Sequence, residues 1–282
     1  METDDNVQLL YHSFGEGPAV VFANGIGVRF PGALLQIEAL RRGYQVISWD
    51  YRGMGQSVMG DPKADIDMGR QALDIIAILD HLGVERAVFI GWSMGVQVSL
   101  EVLRRQPERV AGFVAMLGTY AKPFRTGLPF PAGHAAEALF TLGQRAPWLA
   151  QAALDLAVVA PRPIFSILAL ARFVGTDADP RIFDAAIRSV AGVEKRHYLR
   201  SLMALARHDA RDVLPTVRCP AMVICGERDW ITPPRVARVM ADNIPGAIYR
   251  EVKGATHFAL MEQVDLINEW LTRFVHQAYE QE

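Results

Sequence analysis

The sequence predicts an α/β fold in which a mostly parallel sheet is covered by helices on both faces and interrupted by a helical cap. Short apolar runs of strand length alternate with amphipathic segments of helix length over most of the chain, which is the pattern of parallel strands joined by crossover helices. Between residues 120 and 213 the alternation stops, and proline-punctuated, helix-like segments replace it. We therefore predict a core of residues 1–119 and 214–282 and a cap of residues 120–213.

The predicted strands are apolar runs bounded by turn-forming residues. The first two, residues 7–14 and 19–23, flank a Gly- and Pro-containing turn and are predicted as an antiparallel pair that leads into the buried sheet. The other strands are residues 44–49, 86–90, 110–117, 221–225 and 247–252. The predicted helices, which have apolar residues every three or four positions, are residues 31–42, 67–82, 96–105, 233–243 and a long terminal helix. In the second helix the pattern places His81, Arg70 and Asp74 on the polar side.

The composition excludes several classes of protein. Of the 282 residues, 51% are hydrophobic and 21% are charged, which is typical of a packed globular chain. The formal net charge of −2 predicts no basic surface for nucleic acid or for an anionic membrane. No apolar run has the length of a membrane span, and the acidic amino terminus lacks the segments of a secretory signal. We expect a cytoplasmic protein with no nucleic-acid partner and no stable membrane insertion, and the oligomeric state stays open.

The pentapeptide Gly91-Trp92-Ser93-Met94-Gly95 carries the strongest functional signal. It follows an apolar run with strand character and leads into a predicted helix. A serine on such a sharp strand-to-helix turn projects its hydroxyl from the sheet, and the flanking glycines avoid the crowding that a Cβ would cause. The amino terminus of the following helix favours negative charge that develops beside the serine. Ser93 is therefore the candidate nucleophile.

A serine nucleophile needs a base within hydrogen-bond reach and a group that orients this base. Among seven histidines, His257 stands out because it directly follows the last predicted strand, and imidazole takes and returns a proton near neutral pH. Asp229, in the loop after the strand of residues 221–225, is the candidate orienting carboxylate, and Glu227 is its nearest rival. The chain order Ser93, Asp229, His257 matches that of one class of serine hydrolases.

Three further motifs occur in a matching order. The loop Asp50-Tyr-Arg-Gly-Met-Gly-Gln-Ser57 is similar to a D-x-R-G-x-G-x-S loop, while Gly226-Glu-Arg-Asp229 and Gly254-Ala-Thr-His257 resemble an acid loop and a histidine loop. Together with the pentapeptide, they make the chain resemble the α/β-hydrolase-fold superfamily over almost its full length outside the cap. The resemblance implies a mostly parallel sheet of eight strands and a structural role for the loop that begins at Asp50.

The resemblance also implies an oxyanion hole made of two backbone N–H groups, those of Met94 and Ile26. Asn24, which begins the loop that contains Ile26, stands where the family usually has histidine. Its amide either replaces that side chain or forms a turn with Gly25. The sequence has no phosphate loop, dinucleotide fingerprint or zinc-ligand pattern, so we expect neither a cofactor nor a metal.

The predicted cap is rich in large apolar side chains, most of which are needed to bury the cap against itself and the core. The surplus predicts an enclosed apolar pocket above the nucleophile. Its candidate residues are Asn24, Trp92, Phe124, Phe140, Trp148 and Phe258. The sequence thus favours a serine hydrolase that cleaves a small, hydrophobic ester, thioester or lactone through an acyl-enzyme, with carboxylic ester hydrolysis as the leading case.

Other functions remain open at this stage, because one fold supports many chemistries. Three are catalytic: a carbon–carbon bond hydrolase for dienone acids, a perhydrolase or cofactor-free haloperoxidase, and an acyltransferase. The fourth is a non-catalytic receptor for small molecules, because some proteins of this fold retain the triad and yet serve as receptors. Substrate turnover separates the first three from one another, and ligand binding without turnover identifies the fourth.

Overall fold

The computed structural model describes residues 1–127, 188 and 194–280. Most of the predicted cap lies outside the described residues, including the candidate pocket residues Phe140 and Trp148 and the side chain of Phe124. The division into core and cap therefore stays a prediction. No helix in the described ranges is long and apolar enough to cross a membrane.

Two sheets are formed within the described ranges. Their strands are β1 (Val7–Gln8), β2 (Tyr11–Phe14), β3 (Ala19–Ala23), β4 (Gln45–Trp49), β5 (Val58–Met59), β6 (Ala87–Trp92), β7 (Val110–Met116), β8 (Ala221–Gly226) and β9 (Ile248–Val252). The central sheet has the order β2-β4-β3-β6-β7-β8-β9, and β1 pairs with β5 separately. Within the central sheet, β2 and β4 are antiparallel, and all other neighbours are parallel.

Helices cover both faces of the central sheet. They are α1 (Leu34–Leu40), α2 (Met68–His81), α3 (Met94–Arg105), α4 (Pro123–Gly127), α5 (Lys195–Arg207), α6 (Pro234–Asn243), α7 (Ala259–Glu262) and α8 (Val264–Glu280). Helices α1, α7 and α8 pack on one face, and α2, α3 and α6 pack on the other. Strand β3 shows the alternation that this requires, because Phe22 packs with the first group of helices and Val21 with the second. The predicted fold class is confirmed.

The central sheet has seven strands in the described chain, where eight were expected. The segment 7–14 was predicted as one strand, but it divides between the two sheets. Its middle is held by other partners: the Leu9 N–H donates to the Met1 carbonyl at 2.8 Å, and the Leu10 N–H donates to Ser57 Oγ at 3.0 Å. A strand cannot continue through residues whose N–H groups are used elsewhere. As a result, β1 pairs with β5 outside the central sheet.

The predicted pairing of residues 7–14 with residues 19–23 is wrong, because β2 pairs with β4 instead. The turn between β2 and β3 explains the difference. Gly15 and Gly17 both have positive φ, and a Cβ on Gly15 would overlap the carbonyl oxygens of Arg41 and Tyr44. The turn therefore packs directly against the segment that enters β4. This contact places β2 on the outer side of β4, so β4 lies between β2 and β3.

Asp74 was predicted on the polar side of its helix, but its side chain is fully buried. It forms an ion pair with the equally buried Arg52, with Arg52 Nη2 and Nε at 2.6 and 2.7 Å from the two carboxylate oxygens. Arg52 also donates to the two Asp5 carboxylate oxygens at 2.8 and 3.2 Å and to the Asp65 carbonyl at 2.8 Å. Burial raises the pKa of Asp74, and the hydrogen bonds from Arg52 oppose that rise. A partner distant in sequence thus overrides the surface position that the helical period indicates.

His208 joins the end of α5 to α3. Its Nδ1 lies 2.6 Å from Gln97 Oε1, and its Nε2 lies 2.7 Å from Glu101 Oε1. Burial, reinforced by the positive charge of Arg104, lowers the pKa of His208 to about 4. A neutral ring donates from Nε2 to Glu101 and accepts at Nδ1. The Nδ1 acceptor has a donor if the Gln97 amide is turned so that its NH2 group faces the ring. That NH2 group otherwise has no partner in the described chain.

The low pKa of His208 predicts that the protein loses stability in mild acid. In the unfolded chain the ring binds a proton near its ordinary pKa of 6.5, whereas in the folded chain it does so near 4. The contribution of His208 to the free energy of unfolding is therefore fully present above pH 6.5. It decreases as the pH drops from 6.5 toward 4, by up to about 3 kcal/mol. We expect His208→Gln to remove this part of the pH dependence in urea unfolding, while replacement of the exposed His276 by Gln leaves it unchanged. Equal slopes for His208→Gln and the wild type would contradict the assignment.

Candidate active site

Ser93 occupies a strained turn between β6 and α3. Its backbone angles are φ 55° and ψ −113°, a region that residues with a side chain rarely adopt. The turn is closed by the Ser93 N–H, which donates to the Met116 carbonyl of β7 at 3.0 Å. A Cβ on Gly91 would overlap the Gly95 backbone, and a Cβ on Gly95 would overlap the Ala23 carbonyl. Gly91 is therefore required for the tight turn itself, and Gly95 for the close approach of the turn to β3.

His257 and Asp229 lie in the loops that follow β9 and β8, at the same edge of the sheet as Ser93. His257 Nε2 is 3.1 Å from Ser93 Oγ, and His257 Nδ1 is 2.8 Å from Asp229 Oδ2. Two of these side chains are almost inaccessible to solvent, since His257 is 6% exposed and Asp229 is 2% exposed. The three side chains that the sequence singled out are thus brought together in one hydrogen-bonded series.

The carboxylate of Asp229 is surrounded by donors. Its Oδ1 accepts from the N–H groups of Ile231 and Thr232, both at 2.8 Å. Its Oδ2 accepts from the Thr232 hydroxyl at 2.7 Å as well as from His257. A buried carboxylate with four donors is held in one orientation.

Glu227, the rival carboxylate, has a different role in the described structure. It accepts from the Gly254 N–H at 2.8 Å, and this bond, with the charge of Lys253, keeps the pKa of Glu227 below its usual value. Two backbone bonds join the same loops: the Glu227 N–H donates to the Val252 carbonyl at 3.0 Å, and the Arg228 N–H donates to the Ala255 carbonyl at 2.8 Å. Glu227 therefore fastens the loop after β8 to the loop after β9.

The loop after β3 lies beside the nucleophile. A Cβ built on Gly25 would be 3.5 Å from the Cβ of Ser93, so the backbone that leads to Ile26 passes directly over this residue. Met94 is the first residue of α3. Asn24 is fully buried: its side-chain Nδ2 donates to Ser48 Oγ at 2.9 Å, and its backbone carbonyl accepts from the Tyr51 hydroxyl at 2.8 Å. These bonds direct the Asn24 amide into the core.

Two of the candidate pocket residues flank the series of polar side chains. Trp92 is buried, and Phe258 is half-buried. Their rings meet edge to face, with centroids 6.4 Å apart and an angle of 70° between the planes. The Phe258 ring is also edge-on to the His257 imidazole at 5.9 Å. The Phe258 ring therefore borders the imidazole, and the buried Trp92 ring packs against Phe258.

Sequence reasoning missed two threonines of the site. Thr232 contacts the Asp229 carboxylate as described above. Thr256 precedes His257, and its N–H and hydroxyl donate to the buried Glu262 carboxylate at 2.8 and 2.5 Å. Only the first had a sequence signal, since Asp side chains often accept from N–H groups two or three residues later. That spacing predicts the backbone contact, but it does not predict the hydroxyl contact.

No group of three or more His, Cys, Asp or Glu side chains that could hold a metal occurs among the residues that the structure describes. The described site brings together a hydroxyl, an imidazole and a carboxylate, with backbone N–H groups nearby.

Comparison with known proteins identifies relatives of the whole chain. A family model described as the alpha/beta hydrolase fold matches residues 18–264. The 3-oxoadipate enol-lactonase 2 of Acinetobacter baylyi is 28% identical over 270 residues, which cover 94% of this chain and 92% of that protein.

Solved structures of similar proteins also match this chain over almost its full length. Est816, described as an N-acyl homoserine lactone degrading enzyme, is 27% identical with a TM-score of 0.74, over 97% of this chain and 99% of its own. The esterase EaEST of Exiguobacterium antarcticum has a TM-score of 0.80 over 98% of this chain and 100% of its own, and at 21% identity it supports the fold alone. The extent of the family match decides the assignment: the chain belongs to the alpha/beta hydrolase fold family.

Proposed function

We propose that the protein is a serine hydrolase in which Ser93 is the nucleophile, His257 the general base and acid, and Asp229 the group that orients the imidazole. The observation that supports this most is the continuous series from Ser93 Oγ to His257 Nε2, at 3.1 Å, and from His257 Nδ1 to Asp229 Oδ2, at 2.8 Å. Both distances fall within the range for a nucleophile and base that act together.

In the proposed mechanism, Ser93 Oγ attacks the substrate carbonyl carbon while His257 Nε2 takes the hydroxyl proton. Asp229 holds Nδ1 protonated, so that Nε2 is free to accept, and stabilises the imidazolium that forms. When the tetrahedral intermediate collapses, His257 gives the proton to the leaving oxygen or sulfur, and an acyl-Ser93 ester remains. A water molecule then attacks this ester while His257 accepts its proton. When the second tetrahedral intermediate collapses, His257 gives that proton to Ser93 Oγ, and the acid product leaves.

The N–H groups of Ile26 and Met94 are proposed as the oxyanion donors. Support comes from the approach of Gly25 to Ser93 and from the position of Met94 at the start of α3. Negative charge on the intermediate is then met by fixed dipoles, and one such donor typically lowers the barrier by about 3 kcal/mol. Because backbone groups supply both bonds, Asn24 in place of histidine leaves them intact.

The proposed substrates are uncharged esters, thioesters or lactones with a hydrophobic acyl part, and carboxylic esters are the leading class. The Phe258 ring beside the imidazole, with the Trp92 ring packed against it, supports a hydrophobic acyl site. The functions of two relatives, an enol-lactonase and a lactone-degrading enzyme, support ester-type bonds. The apolar composition of the predicted cap supports the same preference.

A panel of p-nitrophenyl esters of graded acyl length, assayed beside lactones and dienone acids, tests this function. We expect ester or lactone hydrolysis, with kcat/KM rising with acyl length to an optimum because a longer acyl chain buries more apolar surface. Covalent labelling of Ser93 by a fluorophosphonate should accompany it.

Each other outcome replaces the proposal with a specific function. Preference for dienone acids over esters would indicate a carbon–carbon bond hydrolase. Peroxide-dependent bromination that exceeds ester hydrolysis would indicate a perhydrolase or haloperoxidase. Ester synthesis in the presence of an alcohol would indicate an acyltransferase, and ligand-dependent stabilisation without turnover would indicate a receptor.

A further inference from the structure

Thr232 contacts both members of the carboxylate–imidazole pair. Its Oγ1 lies 2.7 Å from Asp229 Oδ2 and 3.3 Å from His257 Nδ1, and the residue is 3% exposed. The mechanism above does not use this hydroxyl. The hydroxyl nevertheless contacts Asp229 Oδ2, the same oxygen that bonds His257 Nδ1, so it can influence the bond between the carboxylate and the imidazole.

The hydroxyl has a single proton, and its geometry indicates where that proton lies. An ionised carboxylate only accepts, so the Thr232 hydroxyl donates to Asp229 Oδ2. Its lone pairs are then left for the proton on His257 Nδ1, whose main acceptor is the same Oδ2 at 2.8 Å. The three groups form a closed triangle of hydrogen bonds.

We propose that Thr232 is a positioning residue that fixes the Asp229 carboxylate and weakens its hold on the imidazolium of His257. The inference rests on the proposed function. A second donor on Oδ2 withdraws negative charge from that oxygen, so the carboxylate stabilises the protonated imidazole less than it would alone. The same donor prevents rotation of the carboxylate, because Oδ1 is already held by the Ile231 and Thr232 N–H groups.

Removal of the hydroxyl therefore has two separable effects. The loosened carboxylate orients the imidazole less well, which lowers kcat. The more negative Oδ2 holds a proton on His257 to higher pH, which moves the acidic side of the kcat/KM profile upward. A residue that only supported the fold would change the thermal stability and leave the profile where it was.

Thr232→Val, with the wild type and Thr232→Ser, tests the proposal on the best p-nitrophenyl ester. We expect Thr232→Val to lower kcat by about 10-fold, the effect of one hydrogen bond to a charged group, with KM within about 2-fold of the wild type. The acidic side of the kcat/KM profile should move up by about 0.5 pH unit. Thr232→Ser should restore both quantities.

Thr3→Val is a matched control, because Thr3 is also buried and donates to a carboxylate, that of Asp5, at 2.6 Å. It should keep the wild-type kcat and pH profile. An unchanged kcat and profile in Thr232→Val, with wild-type activity present, would overturn this inference and leave the proposed function in place. If Thr232→Val does not fold, Thr232→Ala compared with Thr232→Ser isolates the hydroxyl, and the same readouts apply.

A readout without turnover separates this inference from the proposed function. The Nδ1 proton of His257 gives a downfield NMR resonance when it is bonded to a carboxylate. Thr232→Val should shift this resonance and Thr3→Val should not, whether or not the wild type hydrolyses esters. A resonance that stays in place in Thr232→Val would overturn the positioning role. Absence of ester hydrolysis and of Ser93 labelling in the wild type would overturn the proposed function.

Discussion

Ser93→Ala should abolish ester hydrolysis, with kcat reduced by roughly 10⁴-fold or more, because the nucleophile and its base act as one unit. Labelling by a fluorophosphonate should disappear at the same time. The fold should persist, since alanine keeps the Cβ and the turn is fixed by the Ser93 N–H bond to Met116 and by Gly91 and Gly95. Active-site labelling followed by mass spectrometry, together with a thermal melt, measures both effects.

Ser99→Ala is the matched control for this variant. Ser99 is buried in α3, the helix that follows Ser93, and its hydroxyl donates to the Gly95 carbonyl at 2.8 Å. It should retain labelling and most of the activity. Retained labelling in Ser93→Ala would refute the nucleophile assignment, and loss of labelling in both variants would indicate that the helix itself had been disturbed.

Arg52→Met should lower the free energy of unfolding more than any other of these single substitutions. Both partners of the Arg52–Asp74 ion pair are 0% exposed, so the substitution leaves a buried carboxylate without its counter-charge. Breaking a pair of this kind costs about 3–5 kcal/mol, equivalent to a fall of roughly 10 °C in Tm for a chain of this size. The loss should shrink as the pH falls, because burial already raises the pKa of Asp74 and the variant removes the opposing group. Urea unfolding at several pH values measures it.

Two variants show whether the unpaired charge causes the loss. Arg52→Met combined with Asp74→Leu removes both charges and should recover a large part of the stability. Arg41→Met breaks the exposed pair with Glu38 and should cost less than about 1 kcal/mol. A double variant as unstable as Arg52→Met alone would attribute the loss to packing and to the Asp65 carbonyl rather than to Asp74.

The sequence was sufficient for the elements whose signals are local. The turn at Ser93 has a strand before it, a helix after it, and Gly91 and Gly95 on either side, so its conformation is indicated by adjacent residues. His257 and Asp229 were identified by their places after strands, because the carboxyl ends of parallel strands meet at one edge. These predictions needed no knowledge of which strands are neighbours.

Strand pairing and buried charges depended on contacts between distant segments. The apolar pattern of β2 is equally compatible with pairing to β3 or to β4, and the choice follows from the packing of Gly15 against Arg41 and Tyr44. Similarly, Asp74 appears on the polar side of α2 until Arg52 is placed opposite it. The Thr232 hydroxyl bond requires the loop conformation as well as the spacing. In each case the deciding partner cannot be identified from local sequence.

The backbone bonds between the loops after β8 and β9 have a mechanical consequence. Asp229 and His257 belong to loops that are fastened to each other through Glu227, Arg228 and their carbonyl partners, whereas Ser93 is carried by a strand separated from β8 by β7. We therefore expect Asp229 and His257 to keep their relative positions when either loop is displaced. In the proposed mechanism, the 3.1 Å contact between Ser93 Oγ and His257 Nε2 is therefore the one most sensitive to a displacement of these loops.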